Sequence, residues 1–208
     1  MSFLASSRRH ARAAFLALAL TCAGLAWAGA ARAADSTGNY AVRGLGSSPC
    51  TQFIAAVDGN SPQLRSYIAW LEGAVSMGNR LSPGVFDTVP FSASGALAAV
   101  VMRRCREQPA QPFEAAVRLT LEQLQPLRVT TNSPWVEMTV GNNRVTLRAE
   151  TLAVVQGRLG GLGLLTTPPD GRFSVATREA LKRFQQMRRL PTTELPDPDT
   201  LLALLGQP

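Results

Sequence analysis

Asp170-Gly171-Arg172-Phe173-Ser174-Val175-Ala176-Thr177, followed at helical spacing by Ala180 and Phe184-Gln185, decides the fold of the C-terminal part of this 208-residue chain. Asp170-Gly171 is turn chemistry, because Asp bonds its own backbone and Gly accepts positive φ. Ser174 is placed to cap the next helix, whose inner face would be Ala180, Leu181, Phe184 and Met187. Upstream, Leu152, Val155, Leu159 and Leu162 recur at three- and four-residue spacing, which predicts a preceding helix closed by Gly163. Downstream, Asp197-Pro198 reads as a cap and first-turn proline, and Leu201, Leu204 and Leu205 supply a third apolar stripe. Three short stripes facing each other bury one small core over residues 151–208, a marginal size for a domain on its own.

The pattern of Gln156, Leu159, Gly163, Asp170-Gly171, Phe173, Thr177, Ala180, Phe184-Gln185, Leu190-Pro191, Asp197 and Thr200-Leu201 resembles the three-helix peptidoglycan-binding module found beside bacterial cell-wall enzymes. The resemblance implies peptidoglycan as partner. Its ligand-contact candidates are Asp170, Gly171, Arg172, Phe173, Thr177, Phe184 and Gln185. Most of the matched residues are also core and turn positions, so they mark the module more strongly than its contacts. Two positions depart from the pattern: the family usually has Gly where this chain has Ser174 and Glu194. Arg178, Lys182, Arg183, Arg188 and Arg189 cluster around one helix, either as a solvated face or as an attraction for an anionic polymer.

The other end of the chain reads as a targeting segment. Arg8, Arg9 and Arg12 precede an apolar run from Ala13 to Ala28, and Ala31-Arg32-Ala33 offers small residues where a signal peptidase reads. Residues 1–33 are therefore expected to be a signal peptide cleaved after Ala33, and the protein to be periplasmic rather than released outside the cell. Ala19-Leu20-Thr21 before Cys22 fits a lipobox poorly, so lipidation is not expected. No later stretch approaches the ~20 apolar residues of a membrane span.

Removing that segment changes what chemistry is open to the chain. The precursor carries 21 Lys plus Arg against 14 Asp plus Glu; losing Arg8, Arg9, Arg12 and Arg32 leaves 17 against 14, or +3. The basic precursor is thus no argument for nucleic acid. His10, the one histidine, is lost too. An imidazole-ligated zinc site or a nucleophile with a histidine base is then excluded, and no metal or cofactor is expected. Lys182 is the one lysine and has no Ser three residues before it, so a Ser-x-x-Lys site is also absent. Cys50 and Cys105 remain. An even number in an exported chain points to one disulfide.

Residues 34–127 predict a helical domain. After a polar start containing Gly38, Gly44 and Gly46, four apolar stripes follow. They are Cys50, Phe53, Ile54 and Val57; Leu64, Tyr67, Ile68, Leu71 and Val75; Leu97, Val100, Val101 and Cys105; and Phe113, Ala116, Val117, Thr120, Leu121 and Leu124. Gly59 to Pro62, Ser82-Pro83-Gly84 and Gln108 to Pro112 separate them. Gly44-x-Gly46, Cys50, Phe53, Tyr67-x-x-Trp70-Leu71-x-Gly73, Asn79, Cys105, Pro109 and Phe113 resemble a family of exported helical proteins. That family includes immunity proteins against type VI secretion amidases and, more distantly, periplasmic acid-stress chaperones. Tyr67 and Trp70 are candidates for a protein-partner contact, with core packing as the other reading. Residues 128–150 have the alternation and turn of a β-hairpin, with Gly141-Asn142-Asn143 between the strands, expected to pack on one of the domains or to form a loose connector. Trp135 there is a sugar-stacking or junction-packing residue.

The expected fold is mainly α: a disulfide-linked four-helix domain, a short hairpin connector and a three-helix peptidoglycan-binding-like domain. The expected function is non-catalytic: binding peptidoglycan through the C-terminal module while the helical domain meets a protein partner, such as a cell-wall hydrolase. Two alternatives stand beside it. One is an immunity protein inhibiting a wall amidase; the other is a lytic enzyme using Glu72 as acid/base.

Overall fold

Gly, Pro, Ser and Asp residues punctuate most of the helix limits. The computed structural model describes residues 34–35 and 37–206, so the expected signal segment, with His10 and Cys22, lies outside the described residues. The described residues form seven α-helices and one hairpin: α1 Cys50–Asp58, α2 Gln63–Leu81, α3 Ser94–Glu107, α4 Phe113–Leu124, β1 Trp135–Val140, β2 Asn143–Arg148, α5 Ala149–Gly161, α6 Val175–Met187 and α7 Pro198–Leu205. Each predicted break between the first four helices falls where the Gly and Pro residues put it. Among these residues no helix is long and apolar enough to cross a membrane.

The first four helices close on aromatic residues and a disulfide. Phe53, Tyr67 and Phe113 are fully buried, with ring centroids 4.7–5.2 Å apart. The Cys50–Cys105 disulfide ties α1 to α3, its Cα atoms 5.1 Å apart. Closing a loop of this length stabilises the fold by at most about 4 kcal/mol in the chain-entropy account. Trp70 packs edge-on to Phe113 and donates its indole N–H to the Arg43 carbonyl at 3.0 Å. A Cβ at Gly46 would stand 2.2 Å from the Trp70 ring, so the tryptophan fits because residue 46 has no side chain. Gly73, by contrast, has nothing within 4 Å of where a Cβ would lie.

The hairpin is held on both sides. Trp135 pairs with Arg148 and Val140 with Asn143, and Gly141 takes the positive φ of the tight turn. Met138 and Leu147 turn inward and are buried. Residues 85–91, between α2 and α3, bridge twice: Asp87 to Val129 and Phe91 to Leu147. The hairpin therefore packs against the helical region as well as against α5, which follows β2 without a break.

Val42–Pro208 forms one compact unit. Its buried apolar residues form one cluster from Cys50 through Met138 and Leu147 to Leu204. α7 is the reason the cluster continues: it touches α5 on one side and α3 and α4 on the other. Its Leu201 and Leu204 are buried, and Asp199 pairs with Arg103 of α3. Residues 127 and 150 thus mark changes in secondary structure rather than gaps in packing. The described residues before the unit belong to a separate one, Met1–Ala41, in which the Asp35 carboxylate gathers the N–H groups of Thr37 and Asn39.

Two expected core positions are corrected. Leu162 lies past the last turn of α5, where the chain has begun to leave the helix, and is exposed. Met187 ends α6 and is 53% exposed. α5 stops one residue before Leu162, and α6 ends at Met187, so the final position of each apolar stripe falls where the helix is closing.

Candidate functional site

Two loops in the C-terminal segment share one construction, in which a buried glutamine on a helix clamps the loop that follows. Gln156 of α5 sits on the apolar face between Val155 and Leu159 and is buried with them. Its Oε1 accepts from the N–H groups of Asp170 (2.9 Å) and Gly171 (2.8 Å). Its Nε2 is shared among Asp170 Oδ1, the Arg172 carbonyl and Thr177 Oγ1 at 2.9–3.1 Å. Gln185 of α6 does the same for the next loop. Its Oε1 accepts from Glu194 N–H at 2.8 Å, and its Nε2 reaches Thr193 Oγ1, the Leu195 carbonyl and Thr200 Oγ1 at 2.8–2.9 Å. Ser174 and Asp197 then cap α6 and α7 by accepting from the N–H groups of Thr177 and Thr200. A buried amide with every polar atom engaged fixes a loop more firmly than apolar packing alone.

The helices before these loops also end alike. α5 closes with Gly163 N–H on the Gly160 carbonyl and Leu164 N–H on the Leu159 carbonyl. α6 closes with Arg189 N–H on Gln186 and Leu190 N–H on Gln185. Both are Schellman ends with a left-handed residue, glycine in the first and arginine in the second. The same substitution recurs inside the loops. Gly171 (φ +68°) holds the left-handed position of the first, and Glu194 (φ +59°) that of the second.

The candidate contact residues divide by exposure. Gly171, Thr177, Phe184 and Gln185 are buried and hold the loops from within. Asp170 and Arg172 are exposed and Phe173 half-buried, so these three are the candidates that reach the surface of the first loop. Hydrogen bonding from the Arg172 N–H, with help from Gln156, holds the Asp170 carboxyl below the ordinary aspartate range. On α6, Arg178 and Lys182 both pair with Glu194, Arg183 donates to the Leu164 carbonyl, and Arg188 lies over the Phe184 ring. The Arg178 and Lys182 side chains hold the Glu194 carboxyl below its usual value.

Arg148 and Glu150 join the hairpin to the module. Arg148 stacks on Trp135, 3.9 Å from its ring centroid, and lies 5.1 Å from that of Phe86, while its Nη1 donates to Asn132 and to the Ser133 carbonyl. Trp135 keeps 43% of its surface exposed. The Glu150 carboxylate accepts from the N–H and hydroxyl of both Thr130 and Thr131. Burial pushes its pKa up, but these hydrogen bonds outweigh burial and leave it lowered.

In the helical region Tyr67 is fully buried, its hydroxyl 2.8 Å from Ser48 Oγ. Trp70 is partly exposed and, with Ala74, Val117, Leu121 and Arg128, lines a cleft of about 400 Å³ between α2 and α4. Glu72 is exposed and accepts from the Ser94 hydroxyl. Among the described residues, no group of three or more His, Cys, Asp or Glu side chains is placed to hold a metal ion.

No curated protein and no solved structure matches the chain. Nothing in these comparisons supports the likeness of residues 40–125 to immunity proteins. Residues 148–204, the span holding both glutamine-clamped loops, do match: their family model is that of a putative peptidoglycan binding domain.

Proposed function

We propose that this protein binds peptidoglycan through residues 148–204 without turning it over, in the periplasm, while the helical region meets a protein partner. The observation that carries the reading is the coincidence of the family match with the two clamped loops. Those loops are rigid where their glutamines hold them, and the first presents Arg172 and the edge of Phe173 to solvent. A polymer of sugars and short peptides offers apolar faces, amides and carboxylates to such a surface. The exported sequence, with no histidine, supports binding over hydrolysis. The Trp70 cleft supports a protein contact in the helical region, since a partly exposed tryptophan in a concave site is a common anchor.

Co-sedimentation of the full chain with purified sacculi tests this. The protein is expected in the pellet. Arg172→Glu combined with Phe173→Ala is expected to weaken binding roughly tenfold, or about 1.4 kcal/mol, at unchanged thermal stability. Wild-type protein that stays in the supernatant removes the reading. Release of muropeptides that Glu72→Gln abolishes would replace it with a lytic one.

A further inference from the structure

Glu194 stands out among the surface acids. It adopts a left-handed backbone at the place where the parallel loop has Gly171, a conformation that disfavours an L-residue by about 1–2 kcal/mol. Its side chain is only 13% exposed. The carboxylate reaches two cations one turn apart on α6: Arg178 Nε at 2.5 Å and Lys182 Nζ at 3.2 Å. Those two side chains remain 45% and 38% exposed, so a group from solution can approach them. The Glu194 N–H is held by Gln185 Oε1, which anchors the backbone independently of the carboxylate. A strained residue is most informative where its side chain does something a glycine would not.

We propose that Glu194 is a built-in competitor, its carboxylate occupying the place on Arg178 and Lys182 that a carboxylate of the bound polymer would take. The inference rests on the peptidoglycan reading above, whose peptide carboxylates are the ligand groups concerned. An incoming carboxylate must displace Glu194, so the internal pair lowers affinity and blunts the salt dependence that two free cations would give. Exchanging the acid for a neutral residue frees both cations without touching the clamp, which uses only the Glu194 backbone.

The experiment is sacculus co-sedimentation of full-length wild type, Glu194→Gln and Glu194→Gly at low and high salt. Glycine suits the left-handed backbone, so it serves if the glutamine variant folds poorly. Both variants are expected to bind about two- to fivefold more tightly at low salt, the range an exposed ion pair spans. That gain should vanish in high salt, when Arg178→Gln and Lys182→Gln are added, and on sacculi whose carboxylates have been amidated. A wild type that pellets and folded variants that bind no better overturn this inference and leave peptidoglycan binding standing. A gain that survives amidation overturns it as well, because carboxylates would not be the competing groups. If no form of the protein pellets, both fall.

Discussion

The Gly163–Thr177 and Arg189–Thr200 segments solve one problem with different residues. Each runs from a Schellman helix end through a left-handed loop position, held by a buried glutamine, into a capped helix. The first uses glycine at both left-handed positions; the second uses Arg189 and Glu194. What surrounds the Cβ explains part of the difference. At Gly171 a Cβ would lie 2.5 Å from the Ala149 carbonyl oxygen, which is backbone and cannot step aside. Glu194 has a side chain in the equivalent place, and it reaches outward to two cations. The lesson is that left-handed geometry alone does not require glycine. A nearby backbone does.

The largest expected effect breaks the first loop. Gly171→Ala combines a strained φ with a clash against main chain and should lower stability by roughly 3 kcal/mol, whereas Glu194→Gly should stay within about 1 kcal/mol of wild type. Urea unfolding followed by circular dichroism measures both, and equal losses would dissolve the contrast. The glutamines come next. Gln156→Leu and Gln185→Leu each strip buried N–H and carbonyl groups of their partner, at about 2–3 kcal/mol apiece. Two similar values would establish the clamps as equivalent; a value near zero for either would show that its loop is held by packing alone. The smallest effect is at the helix ends, where Arg189→Gly should stabilise by up to about 1 kcal/mol by relieving the left-handed arginine. A destabilised Arg189→Gly variant in thermal melts would mean that the arginine side chain makes contacts worth more than the strain.

Much of this was legible because punctuation in the chain is strong. Gly59 to Pro62, Ser82 to Gly84 and Gln108 to Pro112 fall between helices as their backbone preferences require, and Cys50 and Cys105 meet as a pair. The clamps were half visible. Gln156 and Gln185 stood in the recognised pattern, yet only Gln185 was considered as a contact residue, and it proves to be buried. The signal was there in Gln156: a polar side chain between Val155 and Leu159 on an apolar face must find internal partners. Residues 85–91 were missed because single-bridge pairing leaves too short an alternation to read. Leu162 and Met187 were misplaced because periodicity shows which face a residue would take, not where the helix stops. The candidate contacts that reach the surface of the first loop are one acid, one arginine and a half-buried phenylalanine, and nothing in spacing distinguishes such residues from ordinary surface.

The position of α7 constrains how the molecule comes into being. This helix lies after every element it covers, yet its leucines belong to a core shared with α3, α4 and α5. None of the three can finish closing until synthesis has passed residue 205. A chain that ends between residues 127 and 197 would have its disulfide-forming helices made and a greasy seam still open along them.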